Sequence, residues 1–130
     1  MSTPALLDTH AFIWFIGGSE RLSPRARALI EARENPMFVS VASLWEIAIK
    51  NGIGKLDLDR PFAQLIPEQL ERQQIEVLGI QVSHLAELIH LPQHHRDPFD
   101  RLIAAQAIVE GLPIISTDPV LDAYGVQRLW

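Results

Sequence analysis

Asp97-Pro98-Phe99-Asp100-Arg101-Leu102-Ile103-Ala104-Ala105-Gln106-Ala107-Ile108-Val109-Glu110-Gly111-Leu112-Pro113-Ile114-Ile115-Ser116-Thr117-Asp118 reads as one helix followed by one buried strand, and it decides the fold class. Asp97 is a natural N-cap, Pro98 fits the first helical position, and Gly111 closes the helix after Glu110. Pro113-Ile114-Ile115 is apolar throughout, as strands covered on both faces tend to be. Ala104, Ala105 and Ala107 are small enough to let the helix lie close against a sheet.

Outward from this unit, the same alternation of short apolar runs and longer amphipathic ones recurs, the pattern of an α/β fold with a mainly parallel sheet. Ala5-Leu6-Leu7, Met37-Phe38-Val39 and Ile75-Glu76-Val77-Leu78 read as strands, with a last one near Gln127-Arg128-Leu129. Ser23-Pro24 opens a helix to about Glu34, and Ala42 to Asn51 forms another, stopped by Gly52. Pro61 to Gln73 is helical with a break or kink expected at Pro67, and Ser83 caps a helix running to His90.

At 130 residues the chain has the size of one domain (1–130), and its 48% hydrophobic content argues against disorder. It has no cysteine, which excludes disulfides and thiolate metal sites. The apolar start carries Asp8 and His10 and lacks a basic lead, so it does not read as a signal peptide; no run is long enough for a membrane span. A soluble, cytoplasmic protein is expected. The net charge of −5 argues against a nucleic-acid partner only if the acids are dispersed. Four of them gathered in one site would leave the remaining surface near neutral.

Four acids invite such a grouping. Asp8 follows the first strand and Asp118 follows Pro113–Ile115, so parallel strands put both at the same end of the sheet, where α/β proteins bind ligands. Each can also serve as a helix cap. Glu46 lies in the helix Ala42–Lys50, apolar around most of its circumference, so its carboxylate is expected to be buried and in need of a partner. Lys50, four residues on, is spaced to be that partner. Asp100 sits in the first turn of its helix, where negative charge complements the dipole; Asp97 is assigned mainly to capping. A set of acids without Cys or His selects Mg2+, with Mn2+ as a substitute, over zinc. Arg96 and Arg101 lie beside the acids, placed either to hold phosphates or to serve as exposed charges and partners for Asp97. His94-His95 carries no third zinc ligand. Phe12-Ile13-Trp14-Phe15 reads as core or subunit interface rather than a base-stacking platform.

LLDTHAFIWFI (6–16), SVASLWEIAIKNGIGKL (40–56), HRDPFDRLIAAQA (95–107) and IISTD (114–118), in this order, resemble the PIN domain, and within it the VapC-type toxins of bacterial toxin–antitoxin pairs. The resemblance implies a three-layer α/β/α sandwich around a mainly parallel sheet. It also implies a Mg2+-dependent endoribonuclease that cleaves RNA by water attack on a phosphodiester. A homodimer and a small antitoxin covering the active site are implied as well. By position, Asp8, Glu46, Asp100 and Asp118 are the metal-holding catalytic acids, with Asp97, Thr9, Thr117, Lys50 and Arg101 as supporting residues. Residues 57–74 carry no motif. An aspartyl-phosphate hydrolase would need an Asp where His10 stands, and a receiver domain would need an acid pair and a late Lys that are missing. A PIN-like module that binds RNA or protein without turnover is the remaining alternative.

Overall fold

In the computed structural model, residues 2–94 and 97–130 are described. Five strands, β1 (Ala5–Leu7), β2 (Met37–Ser40), β3 (Ile75–Leu78), β4 (Ile114–Ile115) and β5 (Arg128–Leu129), form one sheet in the order β3-β2-β1-β4-β5. Every pairing is parallel. The helices are α1 (Thr9–Ile16), α2 (Pro24–Glu31), α3 (Val41–Gly52), α4 (Phe62–Gln73), α5 (Val82–His90) and α6 (Pro98–Glu110), with a 3₁₀ helix over Pro119–Tyr124. This is the α/β sandwich expected from the sequence.

The central strand explains the layers. Ala5, Leu6 and Leu7 are fully buried, and successive side chains of a strand point to opposite faces. Ala5 and Leu7 join Phe12, Ala26, Val39, Ile47, Ile66 and Ile115 in one core cluster, which draws on α1 to α4. Leu6 joins Ile103, Ala104, Ala107, Ile114 and Leu121 in the other, beneath α6 and the 3₁₀ helix. Ala104, Ala105 and Ala107 are buried as their size suggested, and α6 spans the predicted residues, Asp97 to Gly111 including its caps.

Two helix boundaries differ from the sequence reading, each for a side-chain reason, and one expected break does not occur. α2 stops at Glu31 because Asn35 turns the chain, its amide donating to the Leu29 carbonyl and its oxygen accepting the Thr3 N–H. α5 starts at Val82 rather than after Ser83, because the buried His84 turns its Nδ1 back to accept the Gln81 N–H at 3.0 Å. His84 Nε2 then meets Glu110 at 2.8 Å, and Gln106 donates to the Gly79 carbonyl, fastening α5 to α6. Pro67 lies inside α4 without interrupting it. The proline cannot donate to the carbonyl one turn earlier, and that turn, at Ala63, is exposed to water that can take its place.

The strand order locates a cleft. From β1 the chain builds outward through β2 to β3, then returns to the other side of β1 with β4 and β5. The order therefore reverses between β1 and β4, the position at which open α/β sheets leave a crevice beyond the strand ends.

Candidate active site

Asp8 stands at that crevice, directly after β1. It is the N-cap of α1, its Oδ1 accepting the Ala11 N–H at 2.7 Å, so the capping role considered from sequence is real. Capping does not account for the rest of its surroundings. Asp8 is buried, and burial pushes its carboxyl above the usual carboxylate range. Hydrogen bonds from Ser116 and Ala11 pull it back, as does His10, while the nearby Asp118 carboxylate pushes it further up.

Asp118 caps the 3₁₀ helix, accepting the Val120 N–H at 3.0 Å, and its own N–H donates to Ser116 Oγ at 3.0 Å. Ser116 is fully buried and stands between the two acids. Its neighbour Thr117, expected as the supporting hydroxyl, is exposed. The alternation of side chains past the end of β4 turns Ser116 inward and Thr117 outward. Ser116 was legible only as part of the Ser-Thr-Asp run, without a role.

Glu46 enters from α3 and is buried. The Thr9 hydroxyl donates to Glu46 Oε1 at 2.8 Å and lies 3.0 Å from the Ser43 hydroxyl. Because Thr9 is the residue after Asp8, this bond ties the acid from α3 to the acid at the end of β1. Glu46 Oε2 meets the Lys50 ammonium at 2.6 Å, the pair anticipated from their spacing. Its contact with Glu46 holds the Lys50 ammonium above the usual lysine range, with Asp97 and Asp100 adding to the pull. The α6 acids thus stand within electrostatic reach of Lys50.

Asp97 caps α6 through the Phe99 N–H at 2.8 Å, as assigned, and Asp100 occupies the first turn. Arg101 is committed elsewhere: its guanidinium donates to the Leu91 carbonyl at 3.2 Å and so joins the start of α6 to the end of α5. Arg96 and His95 lie outside the described residues. His94 packs on Tyr124.

The acids therefore form two groups, Asp8 with Asp118, and Glu46, Asp97 and Asp100 arranged around Lys50. Among the described residues, no three acidic or histidine side chains converge closely enough to make a preassembled metal cage. The donor chemistry nevertheless fits a hard cation: carboxylate oxygens and hydroxyls, without sulfur. A buried Asp8 raised by desolvation and facing a second acid is a carboxylate that a cation would stabilise. A larger cavity, about 480 Å³, opens at the opposite end of the sheet beside Arg33, Asn35, Met37 and Glu76, away from these acids.

Comparison with known proteins agrees with the fold. The PIN domain family matches residues 5–127. Ribonuclease VapC22 of Mycobacterium tuberculosis is 31% identical over 127 residues, covering 97% of this chain and 95% of that protein. Ribonuclease VapC16 of the same organism is 35% identical over 60 residues, 46% of this chain and 43% of that one. Among solved structures, VapBC2 from Rickettsia felis, bound to a promoter DNA fragment, superposes with a TM-score of 0.73 at 16% identity, covering 98% of both chains. VapBC-1 from nontypeable Haemophilus influenzae gives a TM-score of 0.66 at 16% identity, covering 98% of this chain and 97% of that one. At such identities the structural likeness speaks for the fold, and the sequence matches carry the family. With its parallel five-stranded sheet and a family match over nearly its whole length, the chain belongs to the PIN-domain family.

Proposed function

We propose that this chain is a metal-dependent endoribonuclease acting as the toxin of a toxin–antitoxin pair, with Mg2+ as the resident cation and Mn2+ as a substitute. The observation that carries the proposal is the bond from Thr9, the residue after the buried Asp8, to the buried Glu46 of α3, which ties together the segments that carry these two carboxylates. An ionised acid is rarely placed in such surroundings for stability alone. Asp8, Glu46, Asp100 and Asp118 would hold the cation. When bound, it supplies Lewis acidity, positioning of the scissile phosphate and neutralisation of developing charge. Ser116 keeps Asp8 and Asp118 in register, Thr9 aims Glu46, and Lys50 holds Glu46 from its other oxygen.

Other surfaces support the partner side of the reading. A groove of about 320 Å³ runs between Ile13, Ile16, Leu58 and Leu65, rimmed by Asp57 and Asp59. It suits the apolar side chains and basic residues of an inhibitory antitoxin, and it gives residues 57–74 a use that their sequence did not suggest. On α5, Val82 and Ile89 are more than 80% exposed, and Leu85 lies between them on the same side; this face suits a homodimer. No helix of the described residues is long and apolar enough to cross a membrane, which accords with action in the cytoplasm.

Cleavage of a pool of structured RNAs by antitoxin-free protein tests the activity. Cuts are expected with Mg2+ or Mn2+, and are expected to vanish with a chelator and in Asp100→Asn. Cutting that survives chelation would rule out the metal-dependent reading. Folded protein that never cuts would turn the assignment toward the binding module.

Thr9 offers a finer check. Thr9→Val keeps the shape but removes the hydroxyl from Glu46, and loss of a supporting hydrogen bond at a metal ligand costs about 10–100-fold in affinity or activity. The expected result is a loss of that size in initial cleavage rate with a melting temperature within a few degrees of wild type. A full rate would make Thr9 a packing residue only.

A further inference from the structure

Each of the two helices that bring acids to the site carries an aromatic residue immediately before its acid: Trp45 before Glu46 on α3, and Phe99 before Asp100 on α6. The two rings meet edge to face, with centroids 5.2 Å apart and planes at 87°. Phe99 is half-buried, whereas Trp45 remains 58% exposed. Phe99 braces the indole and leaves more than half of Trp45 open to solvent. A large aromatic held in place by a neighbour, and still open to water, contributes little to the core. Its position beside the acids asks for another explanation.

The charge around the site narrows that explanation. The chain carries 11 Lys and Arg against 16 Asp and Glu. Near the acids, Lys50 is bonded to Glu46 and Arg101 to the Leu91 carbonyl. A polyanionic strand therefore finds few uncommitted cations among the described residues there, and the net negative charge of the chain adds no attraction for its phosphates. Stacking of unpaired bases on aromatic faces supplies affinity without positive charge, and all four bases can use it. Val41, Ile49 and Ile53 also lie exposed along α3, so a protein surface is the competing occupant. Trp45 shares its exposed face with these aliphatic residues, the nearest of them one turn before and after it. It is the Phe99 brace, which fixes the ring where α3 meets the acid-bearing start of α6, that favours the base.

We propose that Trp45, braced by Phe99, stacks an unpaired base of the RNA next to the scissile phosphate and so positions the strand over the acids. The proposal rests on the ribonuclease reading for its substrate. Trp45 is a positioning residue that acts on where the strand lies, so its removal should raise KM far more than it lowers kcat. Stacking is shared by aromatic rings but not by branched aliphatic ones. Phe at this position should therefore retain most of the function, and Leu should not.

The test uses Trp45→Ala, Trp45→Phe and Trp45→Leu on a single-stranded RNA cut by the wild type. It also uses copies of that RNA made abasic at each nucleotide flanking the cut. Trp45→Ala is expected to raise KM by roughly 5- to 150-fold, the range that corresponds to one base–aromatic stack. Trp45→Phe should stay within a few-fold of wild type, and Trp45→Leu should resemble Ala. One abasic substrate should cost the wild type the same factor and cost Trp45→Ala nothing more. Unchanged KM in Trp45→Ala, rescue by Leu equal to that by Phe, or a fall in mass by sedimentation on Trp45→Ala would each overturn the proposal. The last two outcomes would make this face a protein interface.

Binding of the same fluorescently labelled RNA by catalytically silent Asp100→Asn protein, with and without Trp45→Ala, separates this idea from the activity it rests on. RNA bound through Trp45 by a wild type that never cleaves would sustain the stacking and sink the ribonuclease. Cleavage or binding indifferent to Trp45 would do the reverse.

Discussion

Asp8→Asn is expected to lower RNA cleavage by about a thousandfold and, in the absence of metal, to make the protein more stable. About 4 kcal/mol of transition-state stabilisation corresponds to three decades in rate, and replacing a charged carboxylate that holds a catalytic cation removes several kcal/mol. The gain in stability has a different origin. Burial and the Asp118 carboxylate make the ionised form of Asp8 costly in the folded chain. Asparagine keeps the oxygen that accepts the Ala11 N–H, and it caps helices as well as aspartate does. Removal of the charge should therefore add on the order of 1 kcal/mol, or roughly 3–4 °C in melting temperature.

The pH dependence fixes the sign of this effect. The folded state raises the Asp8 pKa, so it binds the proton more tightly than the unfolded chain does. The cost of the charge is present above the folded-state pKa and disappears as pH falls through it. Asp8→Asn should thus gain stability near neutral pH and lose that advantage in acid. Melting curves in chelator at several pH values, alongside cleavage rates, check both halves. If the variant cleaved normally and melted like wild type at every pH, Asp8 would be a helix cap and nothing more.

Phe12→Ala should destabilise the protein by about 3–5 kcal/mol, the usual cost of removing a fully buried aromatic ring. For a chain of this length that is a fall of roughly 11–18 °C in melting temperature. Phe12 is completely buried in the cluster that holds Leu7, Val39 and Ile47. It therefore presses α1 onto the sheet one turn after Asp8 and Thr9. Trp14, on the same helix, is only half-buried and edges Trp130, so Trp14→Ala should cost distinctly less. Equal losses for the two variants, read by circular dichroism, would mean that the ring of Phe12 does not anchor the helix. Activity of Phe12→Ala measured well below its melting temperature then reports how firmly the core must hold α1 for the acids to work.

Much of this architecture was written in local sequence. α6 was legible to its caps because Asp97, Pro98 and Gly111 each satisfy or terminate backbone groups within a few residues of themselves. The strands were legible because residues buried on both faces must be apolar whatever lies above them. The i to i+4 pair of Glu46 and Lys50 followed from helix geometry alone. Where the reading slipped, the cause was a partner distant in the chain. The start of α5 depends on His84, buried against Glu110 twenty-six residues later, and no local pattern marks a histidine that folds back on its own helix.

The sequence by itself determined the parallel α/β class, the helices that carry the acids, and the placement of Asp8 and Asp118 past the ends of strands, because hydrophobic period and capping act over a few residues. Only the tertiary structure decided that β4 returns to the far side of β1, which brings Asp118 toward Asp8 and puts Ser116 between them. It also decided that Thr9 reaches Glu46 and that Trp45 rests on Phe99. Strand order and contacts across more than thirty residues follow from how the two faces of the sheet are covered, and that choice is made by the packed core as a whole.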